Sequence, residues 1–275
     1  MDKNTMDKNT KVDIVAIPAL KMLKVLFPQE YIDGINDHID NVIIPANKSF
    51  ADGLVGQLNQ NKRSAQLTIP LDDDFGKKFK NDLEEVANLL VQSDNGFRRK
   101  AKTDAFSCWS NHAYAGDYNP FHSHGIGTMA GLSSFLYLKV PKCISDKDIK
   151  KMPHFHRPGD TAALNNASGA ADGWTQLIWG TNTRKELYEL KEQQQEFVKP
   201  EVGLMLIFPH WLNHQVMPFF GKGERRSLAA NFNIIDSKEE MMKHMSEREK
   251  KQMEISLKKG KAVMVMGKEF VRPKN

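Results

Sequence analysis

From Ala105 onward the chain is written in short apolar runs of strand composition, punctuated by glycine and proline, and this texture limits the fold more than any other feature. The runs are Ala105–Tyr114, Thr128–Val140, Trp174–Trp179, Val202–Phe208, Trp211–Met217 and Arg225–Ile235, with turn signals between nearly all of them. Two helical patterns precede them. The first opens at Phe27-Pro28-Gln29-Glu30-Tyr31, with Pro28 in the favoured first turn and Tyr31, Ile32, Ile35 and Ile39 on one stripe, and should end near Pro45. The second can be capped by Asp72-Asp73-Asp74, after which Phe75, Phe79, Leu83, Val86 and Leu90 recur at helical spacing. A short strand around Gln66–Ile69 lies between them. Helices followed by many strands predict a mainly β, α+β architecture: a barrel or two-sheet jelly roll, with the helices packed outside one sheet. Such a fold encloses a pocket at its mouth.

One domain is expected over residues 12–235, with helical support in 12–100 and the β core in 105–235, because single cores stop growing at roughly 250–300 residues. Val12–Ile17 reads as an edge strand before Pro18. The long connection from Pro141 to Gly173 is predicted to be a lid, since loops of this length in compact domains usually serve function. Residues 1–11, with the duplication Met1–Thr5 and Met6–Thr10, read as a disordered leader. The 236–275 tail is expected to be helical: Lys238–Lys261 lacks proline and is rich in Glu, Lys, Met and Gln. Met241, Met245, Met253 and Leu257 give it a weak apolar stripe, for docking on the body or for self-association.

A hydrophobic content of 40% with 27% charged residues is that of a globular protein, and no run approaches the ~18 apolar residues of a membrane span. The net charge of +5 is modest and mostly interspersed with acids, so nucleic-acid binding is not indicated. Two cysteines, Cys108 and Cys143, are too few for a disulfide framework and predict reduced thiols. With no apolar signal segment at the start, the expected location is the cytoplasm.

The chemistry concentrates in Gly116-Asp117-Tyr118-Asn119-Pro120-Phe121-His122-Ser123-His124. Residues i and i+2 of a strand share a face, so His122 and His124 can aim two imidazoles, the commonest transition-metal ligands, at one point. His214, within Ile207–Pro218, is the best third ligand. Arg225 and Ser227 follow a glycine-rich turn and share a strand face, which suits an anionic cosubstrate. The adjacent Arg226 points the other way and is expected to be exposed. A carboxylate such as Asp117 or Asp160 is the other candidate to complete the site, with His124 then outside the metal's ligand set. His154 and His156 read as surface or substrate-facing, His210 stays open as strand or turn, and Trp109, Trp174, Trp179 and Trp211 read as core.

As a set these segments resemble the 2-oxoglutarate and Fe(II)-dependent oxygenases, a superfamily with a double-stranded β-helix (jelly-roll, cupin-like) fold. Tyr114-Ala115-Gly116, Phe135-Leu136-Tyr137-Leu138 and His214–Pro218 resemble its prolyl-hydroxylase-like branch. Asn119–His124, Leu132-Ser133-Ser134 and Phe208–His214 resemble most closely a bacterial and phage branch with a His-x-His motif. The resemblance spans 105–235 and implies Fe(II) bound by His122, His124 and His214, with 2-oxoglutarate as cosubstrate. It also implies that Arg225 and Ser227 hold the far carboxylate, helped by Tyr137 and, ranked lower, Tyr114. His124 stands where the superfamily usually has a carboxylate. The implied activity is hydroxylation of an aliphatic C–H, on a protein or peptide side chain such as prolyl or on a small molecule, in the host cytoplasm if phage-encoded. Two alternatives stay open: a three-His cupin-like dioxygenase that does not use 2-oxoglutarate, and a non-catalytic β-sandwich binding or structural protein.

Overall fold

The computed structural model describes residues 20–51, 54, 65–93, 100–128, 130–145, 171–180 and 194–235, with 247–248, 251, 255, 263–265 and 268–270 beyond them. The leader, the expected strand at 12–17, residues 146–170 of the lid and most of the expected 238–261 helix lie outside these residues. So do His154, His156 and Asp160.

Strand β1 (Leu23–Leu26) leads into α1 (Gln29–His38), which continues as a π-helical turn (Ile39–Ile43) and the short α2 (Ile44–Ala46). Asn47, left-handed at φ 46°, ends it beside Pro45 as anticipated. After β2 (Gln66–Thr68) comes α3 (Asp74–Gln92). Its N-cap is Asp73, whose Oδ1 accepts the Gly76 N–H at 2.6 Å, a contact whose loss costs about 1 kcal/mol. The remaining strands are β3 (Lys102–Ala113), β4 (Asn119–His122), β5 (Gly131–Lys139), β6 (Thr175–Ile178), β7 (Gln195–Val198), β8 (Leu204–Pro209), β9 (Asn213–Val216) and β10 (Arg225–Ile235), with α4 (Lys142–Ser145) after β5. A hairpin of β11 (Val263–Val265) and β12 (Lys268–Phe270) lies near the C-terminus.

Strands β3 to β10 build a jelly roll. One sheet runs β1-β8-β5-β10-β3-β2 and the facing sheet β4-β9-β6-β7, with every pairing antiparallel. The chain crosses between sheets as it goes, so β3, β5, β8 and β10 fall in the first and β4, β6, β7 and β9 in the second. All six expected runs form strands. β1 and β7, four residues each, were not foreseen, and β11 and β12 fall within the tail expected to be helical.

The large sheet is buried on both faces. Leu132, Leu136, Met205, Ile207, Leu228, Ala230 and Phe232 point toward the helices, meeting Ile32, Ile35 and Ile39 of α1 and Phe79, Leu83, Ala87 and Val91 of α3. Each buried Leu, Ile, Met, Val or Phe among them contributes roughly 1.5–3 kcal/mol. On the other face Phe135, Tyr137, Leu204, Leu206 and Phe208 pack toward Leu177 and Val198 of the small sheet.

The helices are also tied down by charge, which corrects the expectation for Arg226. It is 1% exposed, not solvated. Its guanidinium donates to Asn36 Oδ1 at 3.1 Å, Asp40 Oδ1 at 2.6 Å and Glu224 Oε2 at 3.1 Å. Glu224 also accepts from His112 Nδ1 at 2.5 Å, and the opposite ring nitrogen of His112 meets Ser110 Oγ at 2.9 Å. Burial alone would raise the Glu224 pKa, but the His112 hydrogen bond and the Arg226 charge outweigh it and hold the carboxyl near about 2. A depressed acid contributes stability above its unfolded value and loses it as pH falls through the folded one. Wild type should therefore lose stability between about pH 4.5 and 2. Glu224→Gln should be less stable at pH 7, by on the order of 3 kcal/mol, and flatter across that window. Urea unfolding at stepped pH measures both, and parallel profiles for the two proteins would refute the assignment.

Candidate functional site

Between the sheets lies a cavity of about 260 Å³. Alternation along the central strands decides what it sees. From β10 come Arg225, Ser227, Ala229 and Asn231, and from the neighbouring β3 come Trp109, Asn111 and Ala113. In register, Arg225 opposes Ala113, Ser227 opposes Asn111 and Ala229 opposes Trp109, which puts each pair on one face.

His122, His124 and His214 converge on one wall, their ligand nitrogens all within 4.8 Å of one another. The route differs from the one inferred from spacing. His122 ends β4, and His124 lies beyond the strand, so the pair does not share a face of one strand. Instead His122 and His214 are direct cross-strand partners of β4 and β9, with ring centroids 4.3 Å apart. The backbone beyond β4 then carries His124 back, its ring stacked on His214 at 5.0 Å.

Backbone carbonyls select the tautomers. His122 Nδ1 meets Pro120 O at 2.7 Å and His214 Nδ1 meets Leu212 O at 3.0 Å. A carbonyl only accepts, so both Nδ1 atoms carry the proton and both Nε2 atoms present lone pairs. Burial lowers the pKa of all three imidazoles, and neighbouring histidines add to the effect for two of them: His124 falls to about 4 and His214 to about 3. They are neutral at pH 7, the state a metal ligand needs. Nε2 of His124 lies 3.2 Å from Nε2 of His214.

His210, left open by the sequence, holds His124 in place. Its Nδ1–H donates to His124 O at 3.0 Å, and its own carbonyl accepts the His124 N–H at 3.1 Å. Asp117 lines the cavity but is used by its turn, Oδ2 accepting the Tyr114 N–H at 2.8 Å. No carboxylate joins the histidine cluster among the described residues.

Arg225 is 4% exposed and has no acidic partner among the described residues. Nη2 donates to Thr175 Oγ1 at 3.3 Å, Nε makes no hydrogen bond, and the guanidinium lies 5.1 Å above the Tyr137 ring. Tyr137 OH meets Thr175 Oγ1 at 2.7 Å. Tyr137 is fully buried beneath Arg225 and does not line the cavity; Tyr114 sits in the Asp117 turn and does not line it either. Thr175 does line it, and nothing in the sequence singled it out. Trp109 is buried as expected and also forms a cavity wall, stacked on Phe50 at 4.5 Å and tilted against His124 at 5.8 Å; Trp211, also read as core, is exposed. Neutral amides fill much of the rest: Gln66 donates to Asn111 at 2.8 Å, and Ser133 to Asn231 at 2.7 Å.

The family described as "Putative 2OG-Fe(II) oxygenase" matches residues 107–231. No curated protein matches the chain. Among solved structures, a Pseudomonas putida prolyl-4-hydroxylase is similar at 13% identity and TM-score 0.45, covering 78% of this chain and 91% of that one. The viral collagen prolyl hydroxylase of Paramecium Bursaria Chlorella virus-1, solved as a 2OG complex, is similar at 15% and 0.42, covering 78% and 94%. EctD from S. alaskensis, in its apoform, is similar at 15% and 0.48, covering 78% and 72%. At such identities, with TM-scores below 0.5, none of these assigns a substrate to this chain. The matched segment, residues 107–231, carries the three histidines, Arg225 and most of the cavity's lining, and the family it matches is one of enzymes using Fe(II), 2-oxoglutarate and O2.

Proposed function

We propose that this protein is a hydroxylase in which His122, His124 and His214 hold Fe(II), and Arg225 with Ser227 receives the far carboxylate of 2-oxoglutarate. The observation that carries this reading is one cavity whose walls hold both three converging neutral imidazoles and a buried arginine with no acid to pair with among the described residues. Three nitrogen donors suit Fe(II) and leave positions open for cosubstrate and O2. Bound there, iron with 2-oxoglutarate and O2 supplies the oxidising power to break an unactivated C–H bond.

The chain's own residues do the placing. Arg225 offers a planar fork to a carboxylate, and Thr175 and Tyr137 fix that fork from the side and from below. Tyr137 thus acts through Arg225 and Thr175, and Tyr114 through the turn that sets Asp117. Trp109 and Phe135 line the same cavity and exclude water. At about 260 Å³ the cavity falls below the usual 300–1,000 Å³ of small-molecule pockets. With the cosubstrate inside, the described walls leave little room beside it. That favours an aliphatic C–H of a peptide or protein side chain, presented from outside, over a whole small molecule.

Anaerobic titration of the metal-free protein with Fe(II) and then 2-oxoglutarate should produce a weak visible charge-transfer band. Arg225→Ala should weaken 2-oxoglutarate binding by at least about 30-fold, the cost of truncating one partner of a buried charge pair, and leave iron content nearly unchanged. Equal 2-oxoglutarate affinity in that variant would remove Arg225 from its role. His210→Ala should lower Fe(II) affinity about tenfold with the fold intact by circular dichroism, because it releases the backbone that carries His124. Unchanged affinity would mean that His124 is held without it.

One observation favours a second reading: every member of the metal cluster is an imidazole, as in a three-His dioxygenase that uses O2 without 2-oxoglutarate. O2 consumption with no succinate formed would select that reading.

A further inference from the structure

The charges around the cavity do not balance. The three histidines present neutral nitrogens, and the one carboxylate among the cavity-lining residues, Asp117, is bonded to the backbone of its own turn. Arg225 contributes a buried positive charge with no acidic partner among the described residues and an Nε without a hydrogen bond. A divalent ion on the histidines adds two more positive charges inside a site that water does not screen well. Among the described lining residues, only Asp117 sets a negative charge against these three. An uncompensated buried charge is costly, and a dicarboxylate dianion cancels the difference.

Resting on the reading above, we propose that the dianion is an integral part of this metal site. Because His124 brings no charge, ion and dicarboxylate bind as a strongly coupled pair, each tightening the other, and His124 sets the size of that coupling. One carboxylate of the ligand offsets the ion while the other offsets Arg225, so the mutual repulsion of the two cations disappears only when both are met. Linkage makes the effect reciprocal: the factor by which the dianion tightens the metal is the factor by which the metal tightens the dianion. A carboxylate in place of His124 would neutralise part of the ion's charge beforehand. The metal would then bind better alone and gain less from the anion.

The test is a Co(II) titration of the metal-free full-length protein, anaerobic and followed by visible absorption, alone and with saturating 2-oxoglutarate or pyruvate. Pyruvate keeps the chelating 2-oxo acid and lacks the second carboxylate. For wild type, 2-oxoglutarate should tighten Co(II) by about 50-fold, and pyruvate by no more than about tenfold, against a usual coupling range of about 5- to 150-fold. His124→Asp should bind Co(II) alone at least about tenfold more tightly, with the gain from 2-oxoglutarate reduced below about tenfold. Wild-type Co(II) affinity indifferent to 2-oxoglutarate, or an undiminished gain in His124→Asp, overturns the proposal. Should His124→Asp fail to fold by circular dichroism, the wild-type comparison decides, and equal gains from pyruvate and 2-oxoglutarate overturn it. Failure of the underlying reading looks different: Co(II) does not bind even with 2-oxoglutarate present, or bound Co(II) gives no saturable response to it, and the coupling falls with that reading.

Discussion

Strand β10 runs between β5 and β3 at the centre of the large sheet, so almost every residue along it is committed to one of two buried surfaces. Arg225, Ser227, Ala229 and Asn231 face the cavity, while Leu228, Ala230 and Phe232 face the helices. A slip of one residue would exchange the two sets, sending the cavity's arginine among the isoleucines of α1. The hydrophobic face is thus what holds the polar face in register. Along this strand, the burial that stabilises the fold and the placement of the site are one constraint.

The same dependence recurs at the metal cluster. His122 and His214 meet because β4 and β9 pair in one register, and carbonyls two residues before each of them set the tautomer. His124 needs more, since no strand holds it; two hydrogen bonds to His210 do. Register irregularities interrupt the β10 ladders between Arg226 and Ser227 and between Asn231 and Phe232. The first falls between Arg225 and the other cavity-facing residues and the second just after Asn231, and such bulges commonly re-aim side chains at sites of this kind.

How much of this the sequence could carry follows from the range of each interaction. Helices α1 and α3 were readable because four or more apolar residues repeat at helical spacing, and the long strands because alternation and turn residues agree. The equally short β6 and β9 were legible because each sits in a longer run bounded by turn residues, whereas β1 and β7 each carry a charged residue, Lys24 and Glu196, among only four positions. His122, His124, His214, Arg225 and Ser227 were found through residue type and spacing, and the structure gathers them around one cavity. The reason given for the first pair was a shared strand face, whereas the contact is cross-strand. Thr175 and Trp109 were not recognised as cavity residues, because a threonine opening a short strand and a tryptophan in a long one look the same in sequence wherever they point. Only the cross-strand register distinguishes them.

The neighbouring arginines make the relation of stability to function concrete. Arg226, on the helix side, is bonded to Asn36, Asp40 and Glu224, and its charge is matched within the fold. Arg225, one residue away and as deeply buried, has a threonine hydroxyl and the face of a tyrosine. A guanidinium kept from water without an anion lowers stability, so a fold selected for stability alone would give Arg225 a partner, as it gave Arg226 three. Such local inconsistency, beside side chains that are otherwise satisfied, is where functional sites are expected. Among the described residues no acid meets Arg225, and the proposed site uses that deficit to receive a negatively charged ligand. On the proposed reading the histidine cluster, which has no carboxylate among the described residues, follows the same logic: the protein supplies the positions and its ligand the charge.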